Sequence, residues 1–200
     1  IGSGNVGQVL TQLFVQAGNE VVIAHRGSVD ALEDLARILG AEAGTVEQAE
    51  AQEIVVLAVP FLAIKALPAP LAQDPIIIDA TNYFPDRDAW IAEIERHKKT
   101  TSQVVAEHFQ SSKVVKAFNT IGMTVLARLA QPEQPVDRIA VPYAGDDEQA
   151  KKVVASLIWT IGFEPFDLGG LATSFPAQAD GPLFLVNETA PVLRQHLNPE

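Results

Sequence analysis

The stretch that decides the fold opens the chain: Gly2-Ser3-Gly4-Asn5-Val6-Gly7 stands immediately before an apolar run. In a dinucleotide-binding turn the first glycine permits a tight bend and the second lets the backbone approach a pyrophosphate. The third glycine lets the following helix pack closely on its strand. Free N–H groups at the start of that helix then face the phosphates. We therefore predict that residues 2–7 bind a pyrophosphate.

Glycine-rich turns are common, so this prediction depends on the residues after the motif. Apolar residues recur there at helical spacing, and Gly18 stands where a glycine is expected just beyond a helix end. The next residues, 21–24, form a short β-branched run typical of a buried parallel strand. The turn thus has the helix and strand that a dinucleotide-binding unit requires.

The end of this strand indicates which dinucleotide is bound. A site for NAD carries Asp or Glu here to bind the ribose 2′-hydroxyl, whereas this chain has His25 and Arg26, with Ser28 nearby. A guanidinium can pair with a 2′-phosphate through two parallel hydrogen bonds. We predict NADP(H), with its 2′-phosphate near His25, Arg26 and Ser28. The alternative is that Arg26 is only a solvated surface charge.

Composition excludes several classes of function. The 200 residues carry a net charge of −11, which argues against nucleic acid and anionic membrane surfaces as partners. There is no cysteine, so disulfides, thiol catalysis and zinc–thiolate sites are excluded, and a cytoplasmic location is expected. No apolar run is long enough for a membrane helix.

Alternating strand and helix patterns predict an α/β fold of the Rossmann type, doubly wound, with a mainly parallel sheet and a small C-terminal extension. We expect one NADP-binding domain over residues 1–200. Residues 1–122 would form the dinucleotide-binding core, and residues 123–200 would complete the fold and the acceptor site. Because the glycine turn should follow a strand, we expect most of that strand to precede Ile1.

Three further helices are predicted. The pattern predicts a helix over 86–97, a helix capped by Ser28, and a closing helix around 183–197. The closing helix could carry the interface of a homodimer. Lys116 is expected to lie on a strand with an exposed tip.

Ligands in such sheets bind beyond the carboxyl ends of the strands. Asn82 and Asn119 follow two predicted strands and could hydrogen-bond a ribose or the nicotinamide carboxamide, although Asn is also common in turns. Asp79 is expected to satisfy backbone donors rather than act as a base. The histidines form no catalytic set, and no side chain is expected to donate a proton. This suits hydride transfer between two cofactors, which the protein orients.

Several segments, taken together, resemble the NADP oxidoreductase, coenzyme F420-dependent, family. They include the glycine turn, Leu57-Ala58-Val59-Pro60, Ile78-Asp79-Ala80-Thr81-Asn82 and Val114-Val115-Lys116-Ala117-Phe118-Asn119-Thr120-Ile121-Gly122. The last is also similar to the NADPH-binding domains of the Steap metalloreductases. The resemblance implies nicotinamide contacts near Val59, Pro60 and Asn82. It implies an acceptor ring near residues 119–123, which include Asn119, Thr120 and Ile121.

The resulting hypothesis is hydride transfer between NADP(H) and a small-molecule redox acceptor, either the deazaflavin coenzyme F420 or a flavin such as FMN or FAD. A reductase of another small substrate remains an alternative. Enzymes like pyrroline-carboxylate reductase usually add a long helical second domain, which the short remainder of this chain disfavours. A non-catalytic NADPH-binding sensor or subunit is the third possibility.

Overall fold

Strands and helices alternate along the chain, as predicted. The computed structural model describes residues 1–111, 113–134 and 136–198, so residues 112, 135, 199 and 200 of the expected domain lie outside the described residues. The strands are β1 (Val22–Ala24), β2 (Glu42–Gly44), β3 (Ile54–Leu57), β4 (Ile76–Asp79), β5 (Val114–Lys116), β6 (Ala140–Gly145) and β7 (Glu164–Asp167). The helices are α1 (Asn5–Gln16), α2 (Asp30–Leu39), α3 (Val46–Glu50), α4 (Pro85–Asp88), α5 (Ala92–Glu95), α6 (Thr101–Phe109), α7 (Met123–Leu129), α8 (Glu148–Thr160) and α9 (Ala190–Leu197). Short 3₁₀ turns lie at Phe61–Ala66, Leu171–Thr173 and Phe175–Ala177.

The main sheet has the strand order β3-β4-β5-β6-β7. Its strands pair in parallel except where β6 runs antiparallel to β5, and β1 and β2 form a separate parallel pair. The start of the chain lies between the two sheets, because the Gly2 N–H donates to the Ala24 carbonyl (2.8 Å) and the Ala58 N–H donates to the Ile1 carbonyl (2.9 Å). The α/β architecture with a mainly parallel sheet is confirmed.

A cavity of about 640 Å³ extends between β1 and β3, below the glycine turn. The backbone nitrogen of Ile1 borders this cavity and donates to the Val56 carbonyl at 2.7 Å. The strand expected before Ile1 stays a prediction.

Apolar side chains cover both faces of the main sheet, because successive residues of a strand point to opposite faces. On β4, Ile78 packs with α1, α7 and α8, whereas Ile77 packs with α6 and the 3₁₀ turn Phe61–Ala66. This two-sided burial explains the continuous apolar runs in the sequence. Among the described residues, no helix has the length and apolar character needed to cross a membrane.

The predicted helix over 86–97 is wrong, since the chain forms the two short helices α4 and α5 instead. Between them Ala89 has a φ of 59°, which a continuous helix excludes. The Tyr83 hydroxyl holds this break by donating to the Ala89 carbonyl (2.9 Å) and accepting from the Ile91 N–H (3.0 Å). As a result Trp90 is 66% exposed instead of lying on a buried helix face.

The closing helix is shorter than predicted, and α9 begins only at Ala190. The preceding residues are tied to the sheet: the Leu185 N–H donates to the Thr120 carbonyl (2.8 Å) and Thr189 pairs with Ile139. Leu193 of α9 is fully buried against β6 and β7 of its own chain. The homodimer therefore stays a prediction that this buried face does not support. The Ser28 cap is also wrong, because Val29 occupies the N-cap position of α2.

Candidate nucleotide and acceptor site

The three glycines of the first turn have different surroundings. Gly2 has a φ of 112°, a conformation that side chains rarely adopt. A β-carbon on Gly7 would overlap the Gly2 carbonyl oxygen, so the helix and turn can approach each other only without a side chain there. By contrast, a β-carbon on Gly4 would have no atom within 4 Å. The turn and the helix thus require Gly2 and Gly7, whereas the fold itself does not require Gly4.

This arrangement fits the pyrophosphate of a dinucleotide. Gly4 is the N-cap of α1 and is exposed, and no side chain of the described residues caps the helix there. The first N–H groups of a helix have no partner within it, so those after Gly4 are available to an anion. The Ser3 carbonyl is held by the Gln8 side chain, which donates to it at 2.8 Å. The preformed unit therefore consists of the turn at Gly2, Ser3 and Gly4 and the first helical residues, Asn5, Val6 and Gly7.

Beyond β1, His25 links the glycine turn to the following loop. Its Nε2 donates to the Ser28 carbonyl at 3.2 Å, because a carbonyl can only accept, and its Nδ1 lies 3.3 Å from Ser3 Oγ. A β-carbon on Gly27 would come within 2.8 Å of His25 Nε2. Arg26 is exposed and has no hydrogen bond or ion pair within the described part of the chain. His25 is therefore positioned to order the loop, while the guanidinium of Arg26 is available to a phosphate.

Asn82 and Asn119 meet at the ends of β4 and β5. Asn82 Nδ2 donates to the Asn119 carbonyl (3.0 Å), and Asn119 Nδ2 donates to Asn82 Oδ1 (2.9 Å) and to the Ala177 carbonyl (2.6 Å). The turn that presents Asn119 is strained, because the buried Phe118 has a φ of 67°. The two asparagines thus form one linked pair instead of two independent turn residues.

Two buried polar atoms at this point remain without a hydrogen-bond partner among the described residues, Asn119 Oδ1 and Thr120 Oγ1. Asn119 is 4% exposed and Thr120 is fully buried. An unpaired buried acceptor or hydroxyl costs free energy, and such groups often have a ligand or a water as partner. An amide-bearing ligand ring would supply donors of the kind that these atoms lack.

The remaining predicted contact residues occupy different environments. Val59 packs beside Gly2, and Pro60 is exposed at the start of the 3₁₀ turn Phe61–Ala66. The Ile121 side chain is 1% exposed within the core that contains Phe118, so it packs and does not face a ligand. Val59 therefore lies at the glycine turn. Only the backbone of Ile121, and not its side chain, is available to the site.

Sequence analysis missed a buried ion pair beneath this site. Lys116 is 1% exposed, and its Nζ lies 3.3 Å from Asp79 Oδ2 and 3.2 Å from the Thr81 carbonyl. Asp79 also accepts from the Thr81 N–H, the Thr81 hydroxyl and the Ser102 hydroxyl at 3.0, 2.6 and 2.5 Å. The expected exposed tip of Lys116 is thus wrong. The pair joins the ends of β4 and β5 and thereby fixes the backbone from which Asn82 projects.

We predict that Gly4→Ala leaves the fold intact and weakens NADP(H) binding. A methyl group at this position contacts nothing in the protein but stands where the pyrophosphate must approach. We expect the Kd for NADPH, measured by fluorescence titration, to rise by roughly tenfold or more, a factor worth about 1.4 kcal/mol. Gln12→Ala, an exposed position on the same helix, is the control and should bind as the parent does. Unchanged affinity in Gly4→Ala would contradict this placement of the pyrophosphate.

Residues 1–83 match the model of the family described as NADP oxidoreductase coenzyme F420-dependent. Over these residues the chain is similar to that family. The matched residues include the glycine turn, Arg26, Val59 and Asn82. NADP(H) is accordingly the nucleotide that the family supports.

A relative extends the likeness beyond residues 1–83. Metalloreductase STEAP3 of Rattus norvegicus is 27% identical over 187 residues, which is 90% of this chain and 35% of the rat protein. The chain therefore spans about a third of the length of this relative.

Solved structures share the fold over nearly the whole chain. A hypothetical protein from Sinorhizobium meliloti, SMa0349, is 29% identical with a TM-score of 0.79, covering 94% of this chain and 92% of that one. A candidate F420-dependent NADP-reductase from Arthrobacter sp. FB24 is 23% identical with a TM-score of 0.69, covering 86% and 84%. These likenesses confirm the predicted Rossmann-type fold.

Proposed function

We propose that this protein transfers a hydride between NADP(H) and a small redox acceptor with a planar ring, of the deazaflavin or flavin class. In the direction of NADPH oxidation, one hydride passes from the nicotinamide to the acceptor ring and the acceptor takes one proton from water. The observation that carries the proposal is that three features lie beyond the carboxyl ends of strands in the two sheets. They are the open turn at Gly4, the available guanidinium of Arg26 and the linked asparagines Asn82 and Asn119.

The nucleotide would lie across the carboxyl ends of the strands. Gly4 and the start of α1 would hold the pyrophosphate, Arg26 would hold the 2′-phosphate, and His25 would keep the loop in place by its bonds to Ser3 and Ser28. In this arrangement residues 1–122 hold the nucleotide, and the later residues supply the wall of the acceptor site around Ala177.

The protein's part in the reaction would be orientation and not acid–base catalysis. Asn119 Oδ1 and Thr120 Oγ1 are unpaired within the described residues, and in this proposal they would hydrogen-bond the carboxamide of the nicotinamide. Holding two rings at about 3–3.5 Å supplies much of the acceleration in such a step. The side chains at the strand ends are amides and a hydroxyl, which suits a transfer that needs no proton from the protein.

The test is turnover with defined acceptors. Purified protein is mixed with NADPH and coenzyme F420, FMN or FAD, and the loss of NADPH absorbance is followed. We expect saturable oxidation with at least one of the three. Gly4→Ala should reduce the rate at subsaturating NADPH, which shows that turnover depends on the glycine turn.

If NADPH binds tightly and none of these acceptors oxidises it, the proposal is contradicted. The chain would then act on a different substrate or serve as a nucleotide-binding subunit. Oxidation that Gly4→Ala leaves unchanged would point to a contaminating activity and would also contradict the proposal.

A further inference from the structure

An exposed apolar surface adjoins the proposed site, formed by Phe84, Phe184 and Leu185. We call these three residues the apolar shelf. Phe84 is 37% exposed and Leu185 is 54% exposed. The rings of Phe84 and Phe184 pack edge to face with their centroids 6.3 Å apart. Phe184 itself is half-buried. Large apolar side chains are usually buried, so the adjacent exposure of Phe84 and Leu185 favours a binding surface.

The shelf is attached to the same strand ends that carry the two asparagines. Phe84 follows Asn82 by two residues, and the Leu185 N–H donates to the Thr120 carbonyl at 2.8 Å. Leu185 also lies beside Gly122, since a β-carbon there would be 3.9 Å from Leu185 Cδ2. A ring placed on the shelf would therefore border the position proposed for the nicotinamide.

A guanidinium borders the shelf. The Arg87 Cζ atom lies 5.0 Å from the centre of the Phe84 ring, and Arg87 Nη2 donates to the Asn82 carbonyl at 2.5 Å. Arg87 also pairs with the buried carboxylate of Asp88, with Nη2 and Oδ2 2.6 Å apart. Arg87 Nη1 makes no hydrogen bond to any of the described residues, and the side chain is 47% exposed. The Nη1 nitrogen thus remains available to an anion.

Arg87 is held firmly before any ligand arrives. Asp88 accepts from Arg87 Nε and from the Phe84 N–H, at 3.1 and 3.0 Å from Oδ2. Burial alone would raise the pKa of the Asp88 carboxyl, but the hydrogen bonds from Arg87 and Phe84 outweigh it and the pKa lies below its ordinary value. The carboxylate therefore stays charged and keeps the guanidinium in position.

We propose that Arg87 determines the specificity for the acceptor by selecting rings whose side chain carries a phosphate or carboxylate, while the apolar shelf supports the ring itself. This inference rests on the proposed function. The ring must approach the nicotinamide to about 3–3.5 Å, and aromatic and aliphatic side chains provide a face for it. The unpaired Nη1 can donate a charge-assisted hydrogen bond to phosphate or carboxylate. The shelf and Arg87 together match an acceptor that is flat at one end and anionic at the other.

FMN and riboflavin test this directly, because they share a ring and differ by one phosphate. For Arg87→Gln we expect the KM for FMN to rise about tenfold, as for a lost charged hydrogen bond, and the KM for riboflavin to stay within about twofold. Arg87→Lys keeps a positive charge beside Asp88 but lacks the planar guanidinium. Its KM for FMN should therefore lie between the values of the parent and of Arg87→Gln. Phe184→Ala should raise both KM values by roughly fivefold, through the lost aromatic contact.

The Kd for NADPH should stay within about twofold in all three variants, since neither Arg87 nor Phe184 is itself a predicted nucleotide contact. Arg96→Gln, another arginine of this region, is the matched control and should resemble the parent. Thermal unfolding verifies that each variant is folded. Equal effects of Arg87→Gln on FMN and riboflavin would overturn the inference. So would a change in oligomeric state on Phe184→Ala without a change in KM, which would make the shelf an interface between copies of the chain.

Binding separates this inference from the proposed function. If the parent protein shows no turnover, quenching of flavin fluorescence is measured with protein saturated with NADP⁺. Tighter binding of FMN than of riboflavin that Arg87→Gln abolishes would support the role of Arg87 although the proposed function fails. Binding of neither flavin would overturn the role of Arg87 for this class of acceptor.

Discussion

Lys116→Met should lower the free energy of unfolding by roughly 3–5 kcal/mol, the usual cost of breaking a buried ion pair by removing one partner. Lys116 and Asp79 are both at most 1% exposed, and they are register partners on β5 and β4. The substitution leaves the Asp79 carboxylate without a counter-charge in a dry environment. Urea denaturation of parent and variant measures the difference. A loss below about 1 kcal/mol would show that the pair contributes little to stability.

The double variant Asp79→Asn/Lys116→Met shows whether the charge is the cause. The Asn side chain still offers an oxygen to the Thr81 N–H and hydroxyl, but it leaves no buried charge uncompensated. We expect it to regain more than half of the stability lost in the single variant, since neutral replacements of buried ion pairs are commonly tolerated. If the double variant is less stable than Lys116→Met, packing of the lysine stem and not charge is the main contribution.

Arg26→Ala should weaken NADPH binding by roughly 1.5–3 kcal/mol, the range for a lost hydrogen bond to a charged group. The Kd for NADH should barely change, because NADH has no 2′-phosphate. Stability should not change either, since Arg26 is exposed and has no partner among the described residues. Titration of both nucleotides by isothermal calorimetry measures the two constants in one experiment.

Arg37→Ala is the matched control for this prediction. It removes one exposed arginine from the far end of α2, where the side chain makes only a surface pair with Asp34. Both nucleotides should bind this variant as they bind the parent. If Arg26→Ala weakens NADPH and NADH equally, the 2′-phosphate is not the group that Arg26 recognises, and the preference for NADP over NAD has another origin.

The glycine turn could be predicted from the sequence because its requirements are local. Gly2 adopts a backbone conformation that side chains disfavour, and Gly7 stands against the backbone of the turn itself. The same holds for the ends of α1 and α8, where Gly18 and Gly162 have positive φ. The positive φ is a local signal, although β-carbons on Gly2 and Gly162 would also overlap the backbone of the distant residues Ala58 and Gln131.

The rest of the site depends on contacts between distant residues. Asn82 and Asn119 are separated by 37 positions and meet only because β4 and β5 pair in parallel. The register also decides that Lys116 lies opposite Asp79, whereas the general tendency of lysine to be exposed favoured the opposite expectation. An Asp in one predicted strand and a Lys in the next was the available signal.

The position of Leu185 on the apolar shelf could not be predicted for the same reason. The apolar residues after Leu183 favoured a helix, yet Leu185 has a φ of 60° and its backbone binds the strand end at Thr120. A helical pattern was thus overridden by a tertiary hydrogen bond. Similarly, the hydroxyl of Tyr83 ends the predicted helix over 86–97 from outside that segment.

The most direct test of the NADP(H) site is a crystal structure of the protein with NADP⁺. We predict the pyrophosphate over Gly4 at the start of α1, the 2′-phosphate within hydrogen-bond distance of the Arg26 guanidinium, and the nicotinamide beside Asn82 and Asn119. A nucleotide bound elsewhere would contradict the central claim that NADP(H) binds at the carboxyl ends of these strands. So would a nucleotide bound at the glycine turn with its 2′-phosphate away from Arg26.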